Sequence, residues 1–169
     1  MKGLLFRSVS QLDFMTGSPP RYLFTSRRPG RYNPRGVECV YFAETEEVAD
    51  IEYRGRWKGT DGFYKPKLTF VARIRLTHVL DLADLEVRAE LVVGDEELFG
   101  VWRGRRTKLQ GLGLAVSRHT RLSAIRFPSA AMHREGGTGW NVVVFKTSVR
   151  APDSLEILGD SGDPIEIWP

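Results

Sequence analysis

Between Lys67 and Leu76 the residues alternate without a break, with Leu68, Phe70, Ala72, Ile74 and Leu76 on one face and Thr69, Arg73 and Arg75 on the other. Only an extended strand sends successive side chains to opposite faces, so this run requires a half-buried strand and a sheet to pair it with. Shorter apolar runs supply the partners: Leu4 to Arg7, Val40 to Ala43, Ser123 to Phe127, Trp140 to Lys146 and Ser154 to Leu158. Helices belong between them. Thr45 reads as an N-cap, with Glu46 and Glu47 in the first turn where the helix dipole favours anions, and predicts a helix from about Glu46 to Tyr53. Further helical stretches are expected around Asp84 to Val92 and Thr107 to Arg118. The Gly-, Pro-, Ser- and Arg-rich segment from Thr16 to Gly36 reads as loop, and Arg134 to Gly139 as a turn between two strands. With strands in both halves and no internal repeat, the fold class is α+β with a mixed sheet. At 169 residues, 41% of them hydrophobic, the chain fits one domain over residues 1–169.

Several function classes fall away. No apolar run approaches the roughly 20 residues of a membrane span. The apolar stretch from Gly3 to Phe6 is ended by Arg7, too soon for the h-region of a secretory signal. Cys39 is the single cysteine, which excludes an internal disulfide or multi-thiolate metal site and suits a reducing compartment, so a cytoplasmic location is expected. There is no H-E-x-x-H and no pair of histidines at helical spacing, and no metal is expected. The nucleophile-elbow, P-loop and dinucleotide-fingerprint patterns are absent as well.

Charge comes in blocks of alternating sign. Residues 1–36 are basic, 37–52 acidic, 53–80 basic, 81–99 acidic and 100–134 basic, for a net charge of +4. Of the 25 basic residues 19 are Arg, which suits forked recognition of phosphate or carboxylate and also follows from genomic base composition alone.

Three segments hold candidate site residues. Glu52 lies three residues after Ala49 and four after Val48, so the expected helix carries a carboxylate on its apolar face. An inward carboxylate needs a partner or a function; Arg54 and Arg56 are candidate ion-pair partners. In GRYNPRG, Arg31 stands between Gly30 and an Asn33-Pro34 turn, a backbone held on both sides that can present parallel N–H groups to a phosphate. Tyr41 on the next strand offers a ring to a flat ligand, although a strand tyrosine is more often core. Ser129, after Pro128 at a strand end, reads first as a turn or helix cap.

The order LLFRSV, GRYNPRG, VYFAETEEVADIEY, KLQGLG, RFPSA and WNVVVF resembles the RES-domain family of bacterial toxin–antitoxin toxins, from about Phe6 to Phe145. The resemblance implies a sheet core similar to the ADP-ribosyltransferases, a site of Arg7, Arg31, Tyr41, Glu52 and Ser129, and consumption of NAD by breaking the nicotinamide–ribose bond. It also implies a cognate antitoxin with an Xre-type helix-turn-helix domain. Gln110 and Gly111 match the family's spaced Gln and Gly only loosely, the spaced glycine being Gly113, and stay outside the expected site. The acceptor for ADP-ribose is water or phosphate in one reading and a protein in another.

The residues suit such chemistry in their own right. Loss of a cationic nicotinamide builds positive charge on the ribose, which a fixed carboxylate at Glu52 stabilises, with Arg31 sharing the catalytic role and Arg7 and Arg31 holding the phosphates. Tyr41 is expected against the nicotinamide, and Ser129 on the substrate or on Glu52. A reading from another class is a basic nucleic-acid-binding module built on WRGRR from Trp102 and on the bases from Arg118 to Arg134, but the intervening acidic blocks make direct nucleic-acid binding the weaker expectation.

Overall fold

The computed structural model describes residues 1–15, 29–55, 66–102, 107–119 and 121–168. Its frame is an eight-stranded sheet in the order β4-β5-β6-β2-β1-β3-β7-β8. The strands are β1 (Lys2–Ser10), β2 (Cys39–Ala43), β3 (Lys67–Arg75), β4 (Val79–Asp81), β5 (Ala124–Pro128), β6 (Trp140–Phe145), β7 (Ser154–Leu158) and β8 (Pro164–Trp168). Every neighbouring pair is antiparallel except β4 and β5. This is the mixed sheet expected of the α+β class, and partners do come from both halves: β2 pairs with β6 and β3 with β7.

The alternating run forms β3, which ends at Arg75, with Leu76 just beyond. Ala72, Ile74 and Leu76 are buried with Leu5 of β1, Val40 and Phe42 of β2, Val142 and Val144 of β6, and Leu155 and Ile157 of β7. Their neighbours Cys39, Val143 and Phe145 belong to a second core with Ile125 and Phe127 of β5. Both faces of the central strands are therefore buried, which is why β6 reads as a near-continuous apolar run rather than an alternating one. On the solvent side of β3, Arg73 reaches Glu156 at 2.9 Å, directly across the ladder on β7.

The second core is covered by α5 (Lys108–Arg118), whose Leu109 and Val116 pack inward. Its N-cap Thr107 accepts a hydrogen bond from the Gln110 amide at 3.2 Å. A third cluster joins α2 (Glu46–Gly55) to α6 (Ala130–Arg134) through Val48, Ala49, Ile51, Ala131 and Met132. Thr45 caps α2 through the Val48 amide at 3.2 Å.

Other elements depart from expectation. The expected Asp84–Val92 stretch forms α3 (Leu85–Glu90), capped by Asp84; Val92 turns into the left-handed region at φ 53°, and an unexpected second helix, α4 (Asp95–Phe99), follows. Helix α1 (Gln11–Met15), β4, α6 and β8 are three to five residues long, too short to display a period. Of the expected Arg134–Gly139 turn, Arg134 is the last residue of α6 and residues 135–139 make the turn, with Gly136 at φ 75°. Residues 16–28 of the expected basic loop lie outside the described residues; residues 29–38 are loop. Among the described residues no helix is long and apolar enough to cross a membrane.

Helix α5 approaches the 29–38 loop so closely that a Cβ on Gly113 would stand 1.6 Å from the Tyr32 carbonyl oxygen, whereas one on Gly111 would meet nothing within 4 Å. Gly113→Ala is expected to destabilise the protein by about 2 kcal/mol or more through backbone displacement. Gly111→Ala, in open space on the same helix, should stabilise it by roughly 0.5–1 kcal/mol. Chemical denaturation of the pair checks both signs.

Candidate active site

Glu52 sits where its spacing implied, on the side of α2 that carries the buried Val48 and Ala49, and is itself half-buried. Its partners differ from the arginines considered. Arg54 turns instead to Asp50 at 2.6 Å, one turn back on the exposed side, and Arg56 lies outside the described residues. The Oε1 atom of Glu52 accepts two hydrogen bonds, from Ser129 Oγ at 2.6 Å and from Asn141 Nδ2 at 2.7 Å. Oε2 makes no hydrogen bond among the described residues. Ser129 and Asn141 are both buried. Ser129 is the N-cap of α6, its Oγ accepting from the Met132 amide at 3.1 Å, so one hydroxyl starts a helix and orients a carboxylate. Asn141 lies in β6, in register with Ala43 on one side and Phe127 on the other.

The GRYNPRG loop is organised around Tyr41 of β2. The phenol donates to Asn33 Oδ1 at 2.8 Å and accepts from the Tyr32 amide at 3.0 Å. The Gly30 amide closes onto the Asn33 carbonyl at 2.9 Å. A Cβ on Gly30 would fall 2.4 Å from Asn33 Oδ1 and 2.7 Å from the Tyr41 oxygen, so no larger residue fits this turn. From α5, Gln110 Nε2 donates to the Gly30 carbonyl at 2.8 Å. Burial pushes the Tyr41 phenol well above its usual range, and it stays a neutral donor at any ordinary pH.

This loop aims Arg31 at the end of α4. Arg31 Nη1 donates to the carbonyls of Glu97 and Gly100, each at 3.1 Å, which fills acceptors that a helix terminus leaves open. Nε and Nη2 make no hydrogen bond among the described residues. Burial lowers the pKa of the guanidinium from its ordinary value, an effect the charge of Glu52 opposes. Arg7 of β1 donates from Nη1 to the Tyr41 carbonyl at 2.9 Å.

These side chains meet in a cleft of about 540 Å3, within the range of small-molecule sites. Arg7, Arg31, Tyr41, Glu52 and Asn141 all line it, and the segment from Phe99 to Trp102 forms a further wall. Ser129 is not on the cleft surface; it stands behind Glu52, so of its two candidate contacts the one made here is to the carboxylate. The Tyr41 ring meets Phe127 edge-on, with centroids 6.3 Å apart, at the inner side of the cleft.

The RES domain family model matches residues 4–164. The chain belongs to the RES-domain family. Its fold is similar to a chain in the crystal structure of the M. tuberculosis MbcT–MbcA toxin–antitoxin complex, with a TM-score of 0.65 at 17% identity, covering 94% of this chain and 82% of that one. No curated protein matches the sequence.

Within this RES domain the sequence reasoning missed Asn141 and undervalued Gln110 and Gly113. Asn141 left a trace, as a polar residue in the otherwise apolar WNVVVF strand. Gln110 and Gly113 act at one remove, by positioning the loop that carries Arg31. The basic run expected to serve a nucleic-acid surface is partly neutralised. Arg126 binds Glu44 through Nε at 2.6 Å and Asp81 through Nη1 at 3.1 Å, and lies 4.6 Å over the Trp140 ring.

The two tyrosines of this site make opposite demands. The Tyr32 hydroxyl is buried with no hydrogen-bond partner among the described residues, while that of Tyr41 bridges two groups. Tyr41→Phe is expected to destabilise by about 1–3 kcal/mol by stranding the Tyr32 amide. Tyr32→Phe is expected to leave stability unchanged or raise it, because it removes a buried unpaired hydroxyl. Urea midpoints of the two variants check the contrast.

Proposed function

We propose that this RES domain is a toxin that consumes NAD by cleaving the bond between nicotinamide and ribose. The observation that carries the proposal is the carboxylate of Glu52, with one oxygen fixed by Ser129 and Asn141 and the other left to a cleft whose remaining charged residues, among those described, are arginines. As the C1′–N bond breaks, its electron pair goes to the nicotinamide nitrogen, which leaves neutral. Positive charge then develops on the ribose, where a preorganised carboxylate stabilises it without having to reorient. The leaving group needs no proton, so no general acid is required of the site. An acceptor oxygen, from water or phosphate, bonds to C1′ and releases its proton.

Arg31 is held at Nη1 by backbone carbonyls and directs its remaining N–H groups at the substrate phosphates, with Arg7 beside Tyr41 as a second cation. Tyr41 offers its ring to the nicotinamide. An antitoxin partner with a helix-turn-helix domain and a cytoplasmic location belong to the same proposal; the fold-level likeness to a chain of a toxin–antitoxin complex supports the antitoxin partner.

Purified protein incubated with NAD is expected to release nicotinamide, and Glu52→Gln to slow release by roughly 10²–10³-fold with an unchanged melting temperature. Equal turnover by the variant removes Glu52 from the chemistry. Acceleration by phosphate marks phosphorolysis, and label from radioactive NAD fixed on a protein band of a lysate marks transfer to protein instead.

A further inference from the structure

Among the described residues three arginines line the cleft, Arg7, Arg31 and Arg134. Arg31 gives Nη1 to two backbone carbonyls and Arg7 gives Nη1 to the Tyr41 carbonyl. Arg134, in the last turn of α6, makes no hydrogen bond or ion pair with any described residue, although it lines the same cleft. Its Nη2 lies 3.8 Å from the position a Cβ on Gly55 would take, which puts the guanidinium at the C-terminal end of α2, three residues beyond Glu52. Three residues of helix span about 4.5 Å. Helix α6 thus begins at the serine that orients Glu52 and ends at a cation placed about one turn away from it.

The charge balance of the cleft is the second observation. Among the described lining residues Glu52 is the one carboxylate, and the field of the exposed Arg134 opposes the charge of the partly buried Arg31. Two guanidiniums that repel each other across a concave site are drawn together by an anion that enters between them.

We propose that Arg134 is a substrate-anchoring residue that takes the diphosphate of the dinucleotide together with Arg31, while Glu52 faces the reacting ribose. The proposal rests on the NAD-cleaving reading and names the residue that confers preference for a phosphorylated substrate. The diphosphate is joined to the ribose through its 5′ carbon, so an anion site one helical turn from the carboxylate matches the layout of the ligand.

The test compares Arg134→Ala with wild type on NAD and on nicotinamide riboside, which has the same scissile bond and no phosphate. KM for NAD is expected to rise on the order of 10- to 100-fold with kcat little changed, and kcat/KM for nicotinamide riboside to stay as it was. An unchanged KM for NAD, or an equal loss on both substrates, overturns the proposal. Calorimetric titration with ADP-ribose and with adenosine reads the anion site without turnover: Arg134→Ala should weaken the first and leave the second alone. If wild type releases no nicotinamide from NAD, the catalytic reading fails by itself. The anchoring proposal then stands or falls on whether ADP-ribose binding depends on Arg134. Arg134→Lys, which keeps the charge, is expected to recover part of the lost binding, and a melting temperature equal to wild type excludes a folding defect.

Discussion

The two hydrogen bonds on Glu52 Oε1 tie together parts of the chain far apart in sequence. Ser129 stands 77 residues away and Asn141 89 residues away, one at the start of α6 and the other within β6. A half-buried carboxylate is tolerable only where charge-assisted hydrogen bonds replace those it loses from water, so α2 can dock here only if β6 and the β5–α6 junction are already in place. The third hydrophobic cluster, where Val48 and Ala49 of α2 meet Ala131 and Met132 of α6, brings the helices to that position. Packing sets the distance and the hydrogen bonds set the direction of the carboxylate. The arrangement has the form that electrostatic catalysis requires, in which the stabilising charge is held in place before the reaction begins.

The opposite wall of the cleft is positioned by different means. Arg31 is carried on loop rather than on a regular element, and its rigidity comes from close backbone approaches: Gly30 under the Tyr41 hydroxyl and Gly113 under the Tyr32 carbonyl. Glycine allows such contacts because there is no Cβ to hold them apart. Polar side chains then lock the geometry, with Gln110 on Gly30 and Tyr41 on Asn33 and the Tyr32 amide. A loop built this way places a guanidinium almost as a strand would, at the expense of tolerance: few of these positions accept a larger or less polar residue.

The legibility of the sequence follows from the range of the forces involved. Elements with a long period were readable: β3 from its alternation, α2 from Thr45 and its acidic first turn, and α5 from Thr107. Among the short elements the apolar runs of β2, β5 and β7 were readable, whereas β4, α4 and α6, without such a run, were not. Glu52 was conspicuous because a carboxylate on an apolar helix face conflicts with local physics. Of its partners, Ser129 was reached as one of two candidate contacts, beside its reading as a cap, and it serves as both; Asn141 was missed because it pairs with a residue 89 positions away that only the sheet order brings near. Arg54, the candidate closest in sequence, is drawn off by Asp50 at helical spacing.

The charge blocks acquire a meaning only in the folded sheet. Arg73 of one basic block meets Glu156 across the β3–β7 ladder, Lys67 of the same block meets Asp50 of the acidic block before it, and Arg126 is shared between Glu44 of that acidic block and Asp81 of the next. Alternating sign along the chain thus becomes neutralisation across it, wherever strands and helices bring the blocks side by side. In the cleft the pattern changes. Among the described lining residues Arg31 and Arg134 share the space with one carboxylate, Glu52, that is already held by a serine and an asparagine. Such a site favours a ligand that is anionic in one part and becomes cationic in another. A dinucleotide losing nicotinamide has that distribution: phosphates that stay negative throughout, and a ribose that turns positive only as the bond breaks.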